Sequence, residues 1–142
     1  MKKLLILTVC LLFFVNIPSA VCQVTMIKQD KECKIDSYST IVLWYDYSGS
    51  HYSLYSSTPE SLTVGIFLGR TKSEAINRLS EIMEACKTGN NFFYKDALKC
   101  SYGFYVEGSG KYRVVDSGTS HRGYIYIESF QKAISWVQNV VE

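Results

Sequence analysis

Lys2 and Lys3 precede a predominantly apolar run over residues 4–15, followed by Pro18, Ser19 and Ala20. Beyond it the pattern changes to short runs of strand character. Residues 40–47 (TIVLWYDY) are β-branched and aromatic and predict a strand, Ser48-Gly49-Ser50 predicts a turn, and residues 51–56 predict a strand folding back on the first. After Thr58-Pro59-Glu60, the near-continuous apolar run 62–68 (LTVGIFL) reads as a strand buried on at least one face. Gly69 and Arg70 then lead into a predicted helix. Thr71 and Glu74 have capping-box spacing, in which hydroxyl and carboxylate each satisfy a backbone N–H at the helix start. Ala75, Ile76, Leu79, Ile82, Met83 and Cys86 follow at helical spacing, and Gly89 is placed to stop the helix.

The second half repeats this order more loosely. Residues 92–94 predict a short strand; residues 102–107, the turn Gly108-Ser109-Gly110 and residues 111–116 predict a hairpin; residues 124–127 predict a further strand. Ser129 is then placed to cap a helix carrying Phe130, Ala133, Ile134, Val137 and Val141 on one face, with Trp136 beside that stripe as core or rim. Gly65 with Gly123, Ala75-Ile76 with Ala133-Ile134, and Leu79 with Val137 coincide at a fixed offset. An old duplication of a βββα unit and independent recurrence of a common arrangement both account for this. At that offset Ile66 matches Tyr124 rather than Ile125, so the halves share strand parity only if one strand-to-helix connection is longer.

Two amphipathic helices must bury their stripes, and laying both on one face of a sheet does so most simply. The expected fold is a two-layer α+β domain: a mainly antiparallel sheet with two amphipathic helices on one face. If Ile125 and Ile127 point at the helices, Tyr124 and Tyr126 point away, and Tyr105 and Arg113 oppose Phe104 and Val114. That makes the far face tyrosine-rich.

The order of charge, apolar run and small residues at the start is that of a signal peptide, assigned to residues 1–22 with cleavage after Ala20 or Cys22. The run is shorter than the roughly 20 apolar residues a bilayer span needs. The expected product is a single domain over residues 23–142, exported to the periplasm or secreted, without a transmembrane span. Lipidation at Cys22 is the lesser alternative, since Val21 stands where a small residue is usual. The formal net charge of +2 equals the contribution of Lys2 and Lys3, so the remaining chain is balanced. Lys28, Lys31 and Lys34 are interrupted by Asp30, Glu32 and Asp36, the pattern of a solvated segment rather than a phosphate-binding patch, which argues against nucleic acid. In an oxidising compartment the cysteines are expected to pair. Cys86 closes the first helix stripe and Cys100 precedes a strand of the same sheet, so a Cys86–Cys100 disulfide is expected, with Cys33 as competitor.

Val114-Val115-Asp116-Ser117-Gly118-Thr119-Ser120 resembles the active-site turn of aspartic peptidases, in which apolar residues lead into Asp-Ser/Thr-Gly. The resemblance implies Asp116 as catalytic acid. The chemistry needs two carboxylates sharing a proton and the chain carries one such motif, so this enzyme would be a homodimer. Arg122 and Tyr124 depart from the small or aliphatic residues of that family, and Asp, Ser and Gly also make an ordinary turn. Asp116, Ser117, Ser120 and His121 contain a serine-hydrolase inventory without a nucleophile elbow. Cysteine paired with His51 or His121 suits catalysis less well than a disulfide. No spacing implies a metal, and no cofactor is implied. With eleven tyrosines in the chain, the aromatic face is the remaining signal, because tyrosine offers a large apolar body and a polar tip at low entropy cost. The leading expectation is a non-catalytic binding module that takes a protein or glycan of the cell envelope or exterior through Tyr105, Arg113, Tyr124 and Tyr126. A small inhibitor or immunity-type protein is one form of this; the alternative is the homodimeric peptidase centred on Asp116.

Overall fold

The computed structural model describes residues 28–142, so the signal-peptide segment and Cys22 lie outside the described residues. The strands sort into a pair of four-stranded antiparallel sheets rather than the single sheet expected, giving a mixed α+β fold that is mostly sheet. In the first half, β1 (Lys31–Lys34), β2 (Ser39–Asp46), β3 (Gly49–Thr58) and β4 (Ser61–Gly69) lie in sequence order, followed by α1 (Lys72–Lys87). In the second, β5 (Phe92–Lys95), β6 (Ser101–Gly108), β7 (Lys111–Asp116) and β8 (Arg122–Tyr126) do the same, followed by α2 (Ile127–Asn139). No helix among the described residues is long and apolar enough to cross a membrane.

The charged segment read as solvated is partly strand β1. It pairs with β2 in the register Lys31↔Leu43 and Cys33↔Ile41. An edge strand tolerates charged residues because one row of its backbone groups faces water, and Cys33 is the β1 side chain that packs against the core.

α1 is the helix the sequence predicts. Thr71 Oγ1 accepts from Glu74 N, and the Glu74 carboxylate accepts from Arg70 N at 2.7 Å and Thr71 N at 3.2 Å, which holds its pKa below the ordinary carboxylate value. Ala75, Leu79, Ile82, Met83 and Cys86 are buried. α2 starts earlier than expected. Ile127, expected in a strand, opens the helix, and Ser129 lies inside the first turn instead of capping it. The Ser129 hydroxyl donates instead to Asp36 Oδ2, 2.6 Å away in the first half. Phe130, Ala133 and Val137 are buried as expected, Ile134 and Trp136 pack partly buried against the core, and Val141 is past the helix and exposed. The parity mismatch resolves in the connections: Gly69 and Lys72 are separated by Arg70 and Thr71, whereas Tyr126 runs straight into Ile127.

One core joins both halves, with Ile41, Leu43, Leu54, Ile66 and Leu68 from the first sheet, Phe104, Val114 and Ile125 from the second, and both helix stripes. The sheets meet where β8 crosses β3 and β4. There the side chains of Ser39 and Ser56 donate to Tyr124 O at 2.8 and 2.7 Å, and Tyr102 OH donates to Gly65 O at 2.9 Å. The ties are exchanged between halves. Asp36, in the β1–β2 turn, accepts from Ser129 of the second half; Asp96, in the β5–β6 turn, accepts from Phe67 N of the first. Each half also sends a buried tyrosine to the other: Tyr112 OH donates to Cys86 O, in the last turn of α1, at 2.8 Å, and Tyr52 OH donates to Glu142 Oε1, three residues beyond α2, at 2.6 Å.

Candidate functional site

The outward side of the second sheet carries the residues the strand parity selects. Phe104, Val114 and Ile125 are buried, while Tyr105, Arg113, Tyr124 and Tyr126 are half-buried. The register pairs Tyr105 with Arg113 and Arg113 with Tyr124, so these side chains form one cross-strand row; Lys111 pairs with Tyr126 beside it. Tyr105 lies over Gly103, where an added Cβ would sit 2.6 Å from the ring. Its neighbours are Phe93, with ring centroids 6.4 Å apart, and the Arg113 guanidinium, 5.4 Å from its centroid. Arg113 Nε is also 3.1 Å from Glu107 Oε1, an ion pair without hydrogen-bond geometry.

The row ends in an aromatic cluster that the sequence did not reveal. Tyr38, from the β1–β2 turn of the first half, packs against Tyr124 at 5.4 Å and Tyr126 at 6.2 Å between centroids. The Lys111 ammonium lies 3.9, 4.8 and 6.0 Å from the ring centres of Tyr124, Tyr38 and Tyr126. The quadrupole of each ring attracts the cation, and such contacts are worth about 0.5–1 kcal/mol when exposed. Tyr38 is held there because Asp36 Oδ1 accepts from Tyr38 N and Ser39 N, each at 2.7 Å, and shapes the turn. An Asp two residues before a Tyr was the available signal, but its partner is across the molecule.

Asp116 stands apart from this face. Its carboxylate accepts from Gly118 N at 2.8 Å and from Thr119 Oγ1 at 3.0 Å, and Ser120 N donates to Asp116 O at 2.8 Å, the bonding of an Asp-led turn. Ser117 and Ser120 are exposed in that turn.

The expected Cys86–Cys100 bridge is not formed; among the described residues Cys33, Cys86 and Cys100 are free thiols. Cys86 is sealed on the core side of α1, and burial pushes its thiol up to about 12. Cys100 is exposed at the end of a turn that Asp96 closes instead: Asp96 N donates to Cys100 O at 3.0 Å and Cys100 N donates to Asp96 Oδ1 at 3.0 Å. Iodoacetamide at mildly alkaline pH should therefore label Cys100 in the native protein and Cys86 only after unfolding, read by peptide mass mapping; simultaneous labelling would contradict the burial.

The outer side of the first sheet holds a second aromatic region. Trp44 meets Tyr55 edge-on with centroids 6.0 Å apart and stacks on His51 at 6.4 Å, and His51 lies 5.8 Å from Phe67. His51 Nδ1 is 3.4 Å from Asp46 Oδ2, and the Asp46 carboxyl lies below its ordinary value because Ser48 donates to it from side chain and backbone. Tyr55 covers Gly65, as Tyr105 covers Gly103. Val42 and Ser53 share this outward parity yet are buried, each 6% exposed. Beside the rings a groove of about 420 Å³ runs between Trp44, Tyr55 and Tyr38, with Glu32 at its rim. Among the described residues there is no group of three or more side chains suited to hold a metal. Comparison with family models, with curated proteins and with solved structures finds no match.

Proposed function

We propose that this protein is an exported, non-catalytic binding module that captures a protein or glycan partner of the cell envelope or exterior through the outer face of its second sheet. The observation that carries the reading is the row Tyr105–Arg113–Tyr124 with Lys111 held among Tyr38, Tyr124 and Tyr126. Rings braced by each other and by cations lose little freedom when a partner covers them, and aromatic and Arg side chains carry most of the energy of protein interfaces. In this reading α1 and α2, which contact each other, form one layer against the sheets, so the tyrosine face is free for the partner. An inhibitor or immunity-type role needs no more than such a complementary surface. The hydrogen bonds that occupy the Asp116 carboxylate within its own turn favour a turn residue over the acid of a peptidase dyad.

The test is capture from an envelope extract by wild type, Tyr124→Ser/Tyr126→Ser and Asp116→Asn, with thermal melting as the folding control. The double variant is expected to lose about tenfold or more in capture, because truncating an aromatic anchor costs about 2 kcal/mol. Its melting temperature should fall only slightly, since the rings lost are half-buried. Asp116→Asn should capture like wild type, as the amide oxygen still accepts from Gly118 N. Acid proteolysis by wild type that disappears in Asp116→Asn would replace this reading with the homodimeric peptidase.

A further inference from the structure

We infer that the groove on the outer face of the first sheet binds a small quaternary ammonium ion of the choline type. Its walls are the rings of Trp44, Tyr55 and Tyr38. Among the described residues its one charged lining residue is Glu32, with the hydroxyls of Thr40, Ser57 and Thr63 beside it. The ring faces, the carboxylate and the hydroxyl oxygens of that set favour a cation, and the one indole donor, Trp44 Nε1, is buried away from the groove's surface. With no Lys, Arg or His among the described lining residues, a phosphate, carboxylate or acidic glycan has no cationic partner there, only hydroxyl donors beside the Glu32 carboxylate.

The adjacent cluster shows what these rings do when a cation of the chain can reach them. Tyr38 belongs to both places, and on the second sheet the ammonium of Lys111 approaches three tyrosine rings. Among the described residues no basic side chain lines the groove, so a cation bound there is one supplied from outside them. A methylated ammonium suits it better than a lysine-like one: its charge is spread over methyl groups that bury against rings without losing hydrogen bonds to water. The rings are held ready. Trp44 is fixed between His51 and Tyr55, and the Tyr55 ring sits against Gly65, where an added Cβ would lie 2.8 Å from it. The groove is open to solvent and offers room for an ion of this size against the rings. Glu32 projects from edge strand β1, exposed and opposite Val42, close enough to the rings to set charge preference without burying its carboxylate.

The experiment follows tryptophan fluorescence and calorimetric heat while choline is added to the full-length mature protein, with 3,3-dimethylbutan-1-ol as a neutral isostere and cellotetraose as a neutral glycan. Choline should saturate and the isostere should bind about tenfold more weakly or worse, the factor a cation–π contact supplies. Trp44→Leu should abolish the choline heat. Glu32→Gln, an exposed edge-strand change that leaves folding intact, should weaken choline severalfold and leave the isostere unaffected. Tyr105→Ser, on the second-sheet face beside Phe93 and Arg113 and not in contact with Tyr38, should bind choline like wild type, which separates this site from the partner-capture face. Equal binding of choline and its isostere, no saturable choline signal, preference for cellotetraose, or indifference to Glu32→Gln would each overturn the proposal.

Discussion

Asp96→Ala is expected to lower stability by about 2–4 kcal/mol, a fall in melting temperature of about 10 °C for a domain of this size. Asp96 is 5% exposed and organises its surroundings through both carboxylate oxygens. Oδ1 accepts from Leu98 N at 2.9 Å and Cys100 N at 3.0 Å, which closes the β5–β6 turn, where Lys99 adopts a positive φ of 66°. Oδ2 accepts from Tyr102 OH at 3.0 Å and from Phe67 N at 3.4 Å, which ties that turn to β4 of the other half. Alanine strips an acceptor from three backbone N–H groups at once. Tyr102 suffers less, because the single hydroxyl proton it shares between Asp96 Oδ2 and Gly65 O can go wholly to Gly65 O. Asp96→Asn provides the internal control. Its amide oxygen can serve Leu98 and Cys100 and its NH₂ can donate to the Tyr102 oxygen, so only Phe67 N loses its acceptor and about 1 kcal/mol is lost. Chemical denaturation of both variants measures the difference. Equal stability of Asp96→Ala and wild type would show that Asp96 does not hold the halves together.

Local chemistry explains which parts of this fold were legible beforehand. The capping box Thr71/Glu74 and the stripe from Ala75 to Cys86 were readable because every determinant lies within the helix itself, at spacings fixed by 3.6 residues per turn. Strand parity was readable for the same reason, and it placed Tyr105, Arg113, Tyr124 and Tyr126 on one side of the second sheet. What the sequence hid is what crosses between halves. Ser129 looks like an N-cap because the Asp36 carboxylate that takes its hydroxyl is remote in sequence. Cys86 and Cys100 look like partners because linear spacing does not show that one faces the core while the other is exposed. Strand β1 was hidden behind its charges, since an edge strand gives only weak alternation. The division into a pair of sheets was hidden too, because β4 and β8 have the composition of ordinary buried strands and nothing local says that they meet each other's half. Tyr38 joins both aromatic regions, yet in sequence it is one tyrosine in a polar turn.

Gly123→Val is expected to be strongly damaging, costing about 3 kcal/mol or more, because the clash includes backbone, and lowering the melting temperature accordingly. Gly123 faces inward on β8 where that strand crosses β3, and a Cβ built there would run into the Ser56 side chain and backbone, with Ser56 O at 2.6 Å. Its φ is not in the positive range, so the requirement for glycine is one of space rather than of backbone conformation. Neither neighbour can yield cheaply. Ser56, near the end of β3, is paired on both sides, with Ser39 of β2 and Val64 of β4. Moving β8 away would stretch the bonds that the Ser56 and Ser39 hydroxyls donate to Tyr124 O, and these join the sheets at this point. Trimming the obstructing side chain should not help: Ser56→Gly removes Oγ but leaves the carbonyl in place and sacrifices a hydrogen bond, so the double variant should remain destabilised. Gly118→Ala is the matched control, since its Cβ would meet only Asp116 Oδ1 at 3.4 Å, an ordinary contact. Thermal melting of the variants distinguishes the outcomes: full rescue by Ser56→Gly would locate the conflict in the hydroxyl alone, and a wild-type melting curve for Gly123→Val would mean that β8 does not cross β3 this closely.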